Sequence, residues 1–244
     1  MDFSVIIPAR YASSRLPAKL LKDVHGKPLI QLTYENAINS GASRVIIATD
    51  DKRIEAVAND FGAFTCMTGE HHTSGTSRIA QALEALDIDD DEIIVNVQGD
   101  EPMLNPSVID QVAHNLATSP MKMATLCEQI TNKAQYFDSN CVKVVFNKVG
   151  KALYFSRAAI PFFREAKDFN LKLCFKHVGI YAYRAGFIKQ YLTMNSSSYE
   201  HVEKLEQLTV LNEGFDIHVA LACASIGHGV DTQRDLDKVR KELG

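Results

Sequence analysis

Short apolar runs alternate with segments of helical spacing over the first hundred residues. Three runs rich in Val and Ile predict buried strands, at 4–7, 44–49 and 93–97. Between them, apolar residues recur every three or four positions at 29–38, 53–61 and 78–86, which predicts helices. This order favours a parallel sheet covered by helices on both faces, with ligands binding beyond the carboxyl ends of the strands.

The second half of the chain has a less regular pattern. Strand-like runs occur at 123–130, 142–146, 177–183 and 217–222, and helix-like runs at 185–192 and 200–212. A charged amphipathic segment at 233–243 predicts a final helix, with Asp231 or Thr232 as its N-cap. We therefore predict one α/β domain over 1–244, with a mostly parallel, Rossmann-like sheet and a smaller α+β elaboration.

Composition restricts the classes of protein that fit. The 26 basic and 30 acidic side chains give a net charge of -4, which argues against a nucleic-acid surface, so any phosphate site must be local. The five cysteines never form a Cys-x-x-Cys pair, which argues against a disulfide framework or a zinc site. No apolar run approaches the roughly 18 residues of a membrane span, and we expect a cytoplasmic protein that binds no membrane.

A basic loop follows the first predicted strand. The segment 8–19, PARYASSRLPAK, places Arg10, Arg15 and Lys19 among serine hydroxyls and backbone N–H groups at the carboxyl end of that strand. Such a loop can neutralise a triphosphate and the transition state formed on it. By composition alone it is also compatible with a solvated turn. Neither of the common glycine-rich phosphate-binding fingerprints is present.

Two aspartates are candidates for a divalent metal. Asp100 directly follows the third predicted strand in QGDEP, so it shares the sheet edge with the basic loop. A carboxylate there suits Mg²⁺, which typically takes one or two protein carboxylates together with phosphate oxygens. Asp231, in GVDT, is the candidate for the second ligand. Read singly, each aspartate is also compatible with a turn or helix cap.

Ordered motifs along nearly the whole chain resemble those of one enzyme family, the 3-deoxy-manno-octulosonate (Kdo) cytidylyltransferases, or CMP-Kdo synthetases. They are PARYASSRLPAK at 8–19, HGKPLI at 25–30, ATDD at 48–51, CMTGEHHTSGTSR at 66–78, VNVQGDEPM at 95–103, ALYFSRAAIPF at 152–162, KHVGIYAYRAGF at 176–187, EKLEQL at 203–208 and GVDT at 229–232. The resemblance implies a nucleotide-diphospho-sugar transferase sheet and a homodimer.

The same resemblance implies a reaction and its residues. The anomeric hydroxyl of the sugar acid would attack the α-phosphorus of CTP in a Mg²⁺-dependent step, giving CMP-Kdo for lipopolysaccharide. The nucleotide would be held by Ala9, Arg10, Ser13, Arg15, Lys19, Ser74, Gly75, Arg78 and Asp100, with Arg10, Lys19, Asp100 and Asp231 catalytic and Asp100 and Asp231 ligating Mg²⁺. The sugar would be surrounded by Gln98, Arg157, His177, Tyr181, Glu206 and Gln207, with Arg157 opposite its carboxylate.

Without the resemblance, the residues assigned to the sugar carry a weaker signal. His177 and Tyr181 are typical of packing positions, and Glu206 and Gln207 lie on what reads as an ordinary charged helical face. By the resemblance, residues 1–120 would mainly bind the nucleotide, and 121–244 would mainly bind the sugar, close the site and form the dimer.

Three rival functions differ in substrate or in class. A cytidylyltransferase for a related acid sugar, such as 8-amino-Kdo or a nonulosonate, would share the nucleotide half. The chain also has Ala18 where that family commonly has glycine, Phe162-Phe163-Arg164-Glu165 where it commonly has Trp-Asp-Arg-Asp, and a shorter segment at 166–175. A non-catalytic nucleotide-sugar binding module could dispense with the aspartates, and a glycosyltransferase commonly carries an Asp-x-Asp motif, which does not end the third strand.

Overall fold

A computed structural model describes residues 1–72 and 74–244. The strands are β1 (Phe3–Ala9), β2 (Asp23–Val24), β3 (Lys27–Pro28), β4 (Arg44–Thr49), β5 (Phe64–Met67), β6 (Ile93–Asn96), β7 (Met123–Gln129), β8 (Lys143–Phe146), β9 (Ala152–Ser156), β10 (Phe175–Arg184) and β11 (Ile217–Leu221). The α-helices are α1 (Leu29–Ile38), α2 (Lys52–Asp60), α3 (Gly75–Ala85), α4 (Pro106–Ala117), α5 (Lys133–Phe137), α6 (Ala185–Tyr191), α7 (Ser198–Glu203), α8 (Gln207–Asn212) and α9 (Gln233–Leu243). Short 3₁₀ turns lie at Lys19–Leu21, Ala166–Asp168 and Leu171–Leu173.

The central sheet has the strand order β11-β7-β10-β6-β1-β4-β5. Strands β6, β1 and β4 run parallel, as the alternating pattern predicted, and β5 adds a further parallel strand that the pattern did not predict. Strand β10 is antiparallel to both β6 and β7, and β11 is parallel to β7. The β8–β9 hairpin attaches to the same sheet through β10. The strands of the second half therefore extend the nucleotide-half sheet.

Helices cover both faces of this sheet. On β1, Val5 and Ile7 face one core while Ile6 faces the other, because side chains alternate along a strand. Helices α1, α2, α4 and α9 pack on the first face, and α3, α6 and α8 on the second. The carboxyl ends of β1 and β6 remain open between these layers, so their following loops line a cleft.

One predicted helix is wrong. The segment 200–212 forms two short helices, α7 and α8, which are interrupted after Glu203. Lys204 adopts the left-handed conformation with φ 54, and its N–H bonds the Glu200 carbonyl at 2.7 Å, which ends α7. Leu205 is then buried in the core, so the segment between the two helices turns toward the cleft. Helical spacing alone does not reveal such a break.

Within residues 1–72 and 74–244, no helix has the length and apolar character that crossing a bilayer requires.

Candidate active site

Three adjoining cavities form the cleft at the carboxyl edge of β1 and β6. The loop cavity, of about 160 Å³, contains Ser13, Arg15, Lys19, Asp100 and Asp231. The middle cavity, of about 240 Å³, contains Ala9, Ser74, Gly75 and Arg78. The large cavity, of about 340 Å³, contains Asn96, His177, Tyr181, Glu206 and Gln207. Gln98 borders all three and Arg10 borders the first two, so they form one continuous site.

In the loop cavity, the two aspartates converge on one cation. The Lys19 ammonium donates to a carboxylate oxygen of Asp100 and, at 3.1 Å, to Oδ1 of Asp231. The Arg15 guanidinium reaches the same Asp231 oxygen at 2.9 Å. Residues far apart in sequence thus form a compact group of two carboxylates and two cations.

A backbone contact explains why Asp231 lies beside Asp100. The N–H of Val230 donates to the carbonyl of Asp100 at 2.8 Å. Gly229 suits this close approach, because a Cβ there would lie 2.7 Å from Oε1 of Glu101 and would force that side chain to shift. Immediately after this contact, Thr232 caps α9 in a capping box with Asp235. The C-terminal helix thereby fixes the chain direction at Asp231.

The donor set of the loop cavity fits a magnesium ion. Two hard carboxylates that already bracket an ammonium can bracket a divalent cation, and Mg²⁺ typically takes further oxygens from phosphate and water. Asp100 and Asp231 are the residues that would hold it. In the part of the chain that the structure describes, no group of three or more His, Cys, Asp or Glu side chains forms a self-sufficient metal site.

Glu101 adds a buried carboxyl next to this pair. Burial, together with the charges of Asp100 and Asp231, raises its pKa to about 7, while the charge of Lys19 opposes the shift. A proton on Glu101 near neutral pH reduces the repulsion among three neighbouring carboxyl groups.

The middle cavity is shaped by the N-terminus of α3. The side chain of Ser74 accepts from the N–H of Ser77 at 3.1 Å and caps this helix. Arg78 is buried, and its guanidinium donates to Thr68 and to Asp50, each at 2.6 Å. Arg78 therefore joins α3 to the ends of neighbouring strands, and it borders the cavity as a fixed wall.

The large cavity has an aromatic and amide lining. The rings of His177 and Tyr181 lie 5.2 Å apart on β10, and burial raises the pKa of Tyr181 well above its ordinary value, so its hydroxyl keeps its proton. Gln207 is 6% exposed, and its side-chain nitrogen has no hydrogen-bond partner among the described residues. A buried amide donor beside a cavity is a binding group for a ligand oxygen.

His177 is neutral at physiological pH. Burial lowers its pKa to about 3. The hydroxyl of Thr125 donates to the Ile180 carbonyl at 2.7 Å, so its oxygen accepts from His177 Nε2 at 3.0 Å. A neutral imidazole carries one ring proton, and this contact assigns it to Nε2. Nδ1 can therefore accept a hydrogen bond from a hydroxyl group of a ligand.

Arg157 lies apart from the other residues predicted to surround the sugar. Its guanidinium donates to the carbonyls of Glu203 at 2.6 Å and Ser139 at 3.0 Å, and it is not among the described residues bordering the large cavity. Because its donors are directed at backbone carbonyls, the structure does not bring Arg157 together with the other predicted sugar residues, and its contact with the sugar carboxylate stays a prediction. The other predicted sugar residues, Gln98, His177, Tyr181, Glu206 and Gln207, do border that cavity.

Several bordering residues were not predicted. They are His72 in the middle cavity, and Thr76, Asn96, Tyr183, Tyr191 and Lys204 in the large one. Two of them carried a sequence signal. Asn96 is a polar residue inside an apolar strand, and Tyr183 shares the strand face of Tyr181 by the period of two. The others depend on tertiary packing.

The fold and the cleft define a nucleotidyltransferase class, and a family model described as cytidylyltransferase matches residues 4–217. A Kdo cytidylyltransferase of Ruthia magnifica is 90% identical over 243 residues and covers 100% of both chains. One from Aliivibrio salmonicida is 54% identical, covering 100% of this chain and 99% of its own. This chain belongs to the Kdo cytidylyltransferase family.

A solved structure agrees with this assignment. A CMP:2-keto-3-deoxy-manno-octonic acid synthetase complexed with CTP has a TM-score of 0.92 and 41% sequence identity, with coverage of 99% of this chain and 98% of that one. A cytidylyltransferase from Leptospira borgpetersenii, at 16% identity and a TM-score of 0.64, shares the fold alone.

Proposed function

We propose that this protein transfers CMP from CTP to the anomeric hydroxyl of Kdo and releases pyrophosphate. The observation that carries the proposal is the continuity of the cleft, in which Gln98 joins a cation-rich cavity to a larger aromatic and amide-lined one. The full-length identity of 90% to a Kdo cytidylyltransferase supplies the substrate assignment.

The main barrier is the encounter of two anions, a triphosphate and a sugar carboxylate. The anomeric oxygen bonds to the α-phosphorus, the bond from that phosphorus to the oxygen bridging to the β-phosphorus breaks, and the hydroxyl proton passes to solvent. Arg10, Arg15 and Lys19 reduce the negative charge of the phosphates in the loop cavity. Because the reactants are held in one cleft, the attack becomes effectively intramolecular.

Asp100 and Asp231 would hold a magnesium ion, which supplies positive charge to phosphate oxygens when bound. Lys19 then has a second function in addition to binding phosphate. Its ammonium, which contacts both aspartates, keeps the carboxylates directed at one point.

The large cavity would bind the sugar through uncharged groups. Nδ1 of His177 accepts a hydrogen bond from a sugar hydroxyl. The Tyr181 hydroxyl and the Gln207 amide donate hydrogen bonds to sugar oxygens. Burial raises the pKa of Glu206, and the charge of Glu200 raises the pKa further, while a hydrogen bond from Thr76 opposes the shift.

Pyrophosphate release tests the proposal directly. The protein is incubated with Mg²⁺, each of the four nucleoside triphosphates and each of three acids, namely Kdo, 8-amino-Kdo and a nonulosonate. Release with CTP and Kdo is expected to exceed every other combination. A faster reaction with another acid would reassign the substrate within the same class, and no release with any pair would favour a binding module.

We further propose that the protein is a homodimer in the cytoplasm, where CTP is available, and that it supplies CMP-Kdo for lipopolysaccharide synthesis. Exposed apolar side chains support an interface around β9 and α7. Leu153 lies on β9, and Tyr199 and Val202 lie on α7, with Val202 83% exposed. The two elements are joined by a hydrogen bond from Ser156 to Glu203 at 2.6 Å.

A further inference from the structure

The break between α7 and α8 supplies one wall of the large cavity. Lys204, Leu205, Glu206 and Gln207 follow one another at this break, and all four border the cavity. Lys204 is not glycine and yet has a φ of 54, a conformation that costs roughly 1–2 kcal/mol. Contacts outside the break must therefore hold this segment in place.

The preceding residue, Glu203, makes those contacts. Its two carboxylate oxygens accept separate hydrogen bonds, one from the hydroxyl of Ser156 at 2.6 Å and one from the N–H of Arg157 at 2.8 Å. Its carbonyl accepts from Nε of Arg157 at 2.6 Å. Three hydrogen bonds thus fasten the end of α7 to the end of β9. Glu203 itself is not among the described residues that border the large cavity.

The β9 end is fixed from its other side by an unusual buried lysine. Lys143 is 0% exposed, and its ammonium donates to three backbone carbonyls, those of Asp138 at 2.7 Å, Cys141 at 2.5 Å and Arg157 at 2.7 Å. Three acceptors use all three donors of an ammonium. Arg157 is consequently held at its carbonyl by Lys143 and at its N–H by Glu203, so it cannot shift without breaking both.

We propose that Glu203 is a positioning residue for the sugar-acid cavity, which places Glu206 and Gln207 by anchoring the α7–α8 break to Ser156 and Arg157. Arg157 belongs to the same anchor through its backbone N–H and the Nε of its guanidinium. The substrate part of this inference rests on the proposed function, whereas the anchoring part does not.

Hydrogen exchange tests the anchor without any substrate. In Glu203→Gln, which loses one of the two carboxylate acceptors, amide exchange at 204–208 is expected to accelerate about tenfold, the effect of losing one charge-assisted hydrogen bond. Exchange in α3 should stay unchanged. Glu213→Gln is the control, because this exposed residue lies in the same region and its side chain has no hydrogen bond or ion pair in the described structure. Unchanged exchange at 204–208 in the Glu203 variant would overturn the inference whatever the substrate is.

Steady-state kinetics test the link to the sugar. In Glu203→Gln, KM for Kdo is expected to rise about tenfold while KM for CTP stays within about twofold, since the loop cavity and, apart from Glu206, the middle cavity are built from other segments. Ser156→Ala should give a smaller change in the same direction and provides a second test if the first variant folds poorly. Equal changes in both KM values would show a general structural role and contradict the inference. An inactive wild type would instead refute the proposed function. The hydrogen-exchange result alone would then decide whether Glu203 anchors the α7–α8 break.

A double-mutant cycle separates the two roles of Arg157. If Arg157 acts through Glu203, the KM effects of Arg157→Met and Glu203→Gln should not add in the double variant. Additive effects would show that Arg157 contacts the sugar independently, which would remove it from the anchor.

Discussion

At the scale of single residues, the loop cavity is a balance of charges. Asp100 and Asp231 are close enough to share the ammonium of Lys19, and Arg15 adds a second cation to Asp231. Each of these residue types was predictable from its position after a strand or in a short motif. Their common point of contact was not predictable, because it depends on the backbone contact between Val230 and Asp100.

Asp100→Asn tests the importance of this charge. The substitution keeps the shape and removes one negative charge from the proposed metal site, so kcat for pyrophosphate release should fall by about 100-fold or more, as for the loss of a preorganised electrostatic group. The unfolding midpoint should change little. Asp60→Asn, an exposed change at the end of α2, is the control. Near-normal kcat in the Asp100 variant would refute the metal assignment.

The buried imidazole of His177 predicts a pH dependence of stability. Its pKa is about 3 in the folded protein, because of burial, against an ordinary value of 6.5. On acidification the unfolded chain takes up the proton first, so stability is lost as the pH falls below 6.5 and the loss ends near 3. The slope from this one group is about 1.4 kcal/mol per pH unit.

Urea unfolding at pH 7 and pH 5 measures this effect. The wild type should lose about 2 kcal/mol more than His177→Gln between these pH values. His201→Gln, at an exposed position on α7, should behave like the wild type. Equal acid sensitivity of wild type and His177→Gln would show that the pKa of His177 is not lowered in the folded protein, so that the folded protein protonates it by pH 5.

At the scale of elements, hydrophobic spacing predicted most of the strands and helices that form the sheet and its covering layers, but not β5, β9 or α4. It located β4, α1 and α9 at their observed bounds. It failed for 200–212, where the pattern is continuous but the backbone is interrupted at Lys204. A left-handed residue that is not glycine leaves no mark in a hydrophobic pattern, and this break is what forms the wall of the large cavity.

The capping box of α9 predicts a measurable stabilisation. Asp235 accepts from the N–H of Thr232 at 3.0 Å and from its hydroxyl at 2.8 Å. Asp235→Ala should lower the free energy of unfolding by about 1 kcal/mol, the usual effect of a helix cap. Asp237→Ala, which removes exposed contacts on the same helix, should cost only about 0.3 kcal/mol. Equal losses in urea unfolding would contradict the importance of the cap.

At the scale of the whole molecule, the site draws on both halves of the chain. The first half contributes Arg10, Lys19 and Asp100, and the second contributes His177 and Asp231. Because β10 inserts beside β6, side chains from the second half reach the open edge of the nucleotide-half sheet. The cleft is therefore a property of the complete sheet.

Disruption of the exposed apolar patch on β9 and α7 tests the proposed dimer. Val202→Glu should shift the sedimentation mass from dimer to monomer, because a charge in an apolar interface loses its hydration. Ile38→Glu, at an exposed position on α1, should leave the mass unchanged. A monomeric wild type, or an unaffected Val202 variant, would remove the patch as the interface.

The sequence by itself determined the alternating strands and helices, the basic loop after β1 and the candidate aspartates, because local periodicity and residue chemistry are properties of short segments. The resemblance of ordered motifs correctly indicated the family. Only the tertiary structure decided that Asp231 lies beside Asp100, that the helix is interrupted at Lys204 and that the Arg157 guanidinium donates to backbone carbonyls. The first and the last of these depend on contacts between segments far apart in the chain, and the break at Lys204 depends on a backbone conformation, none of which a local hydrophobic pattern contains.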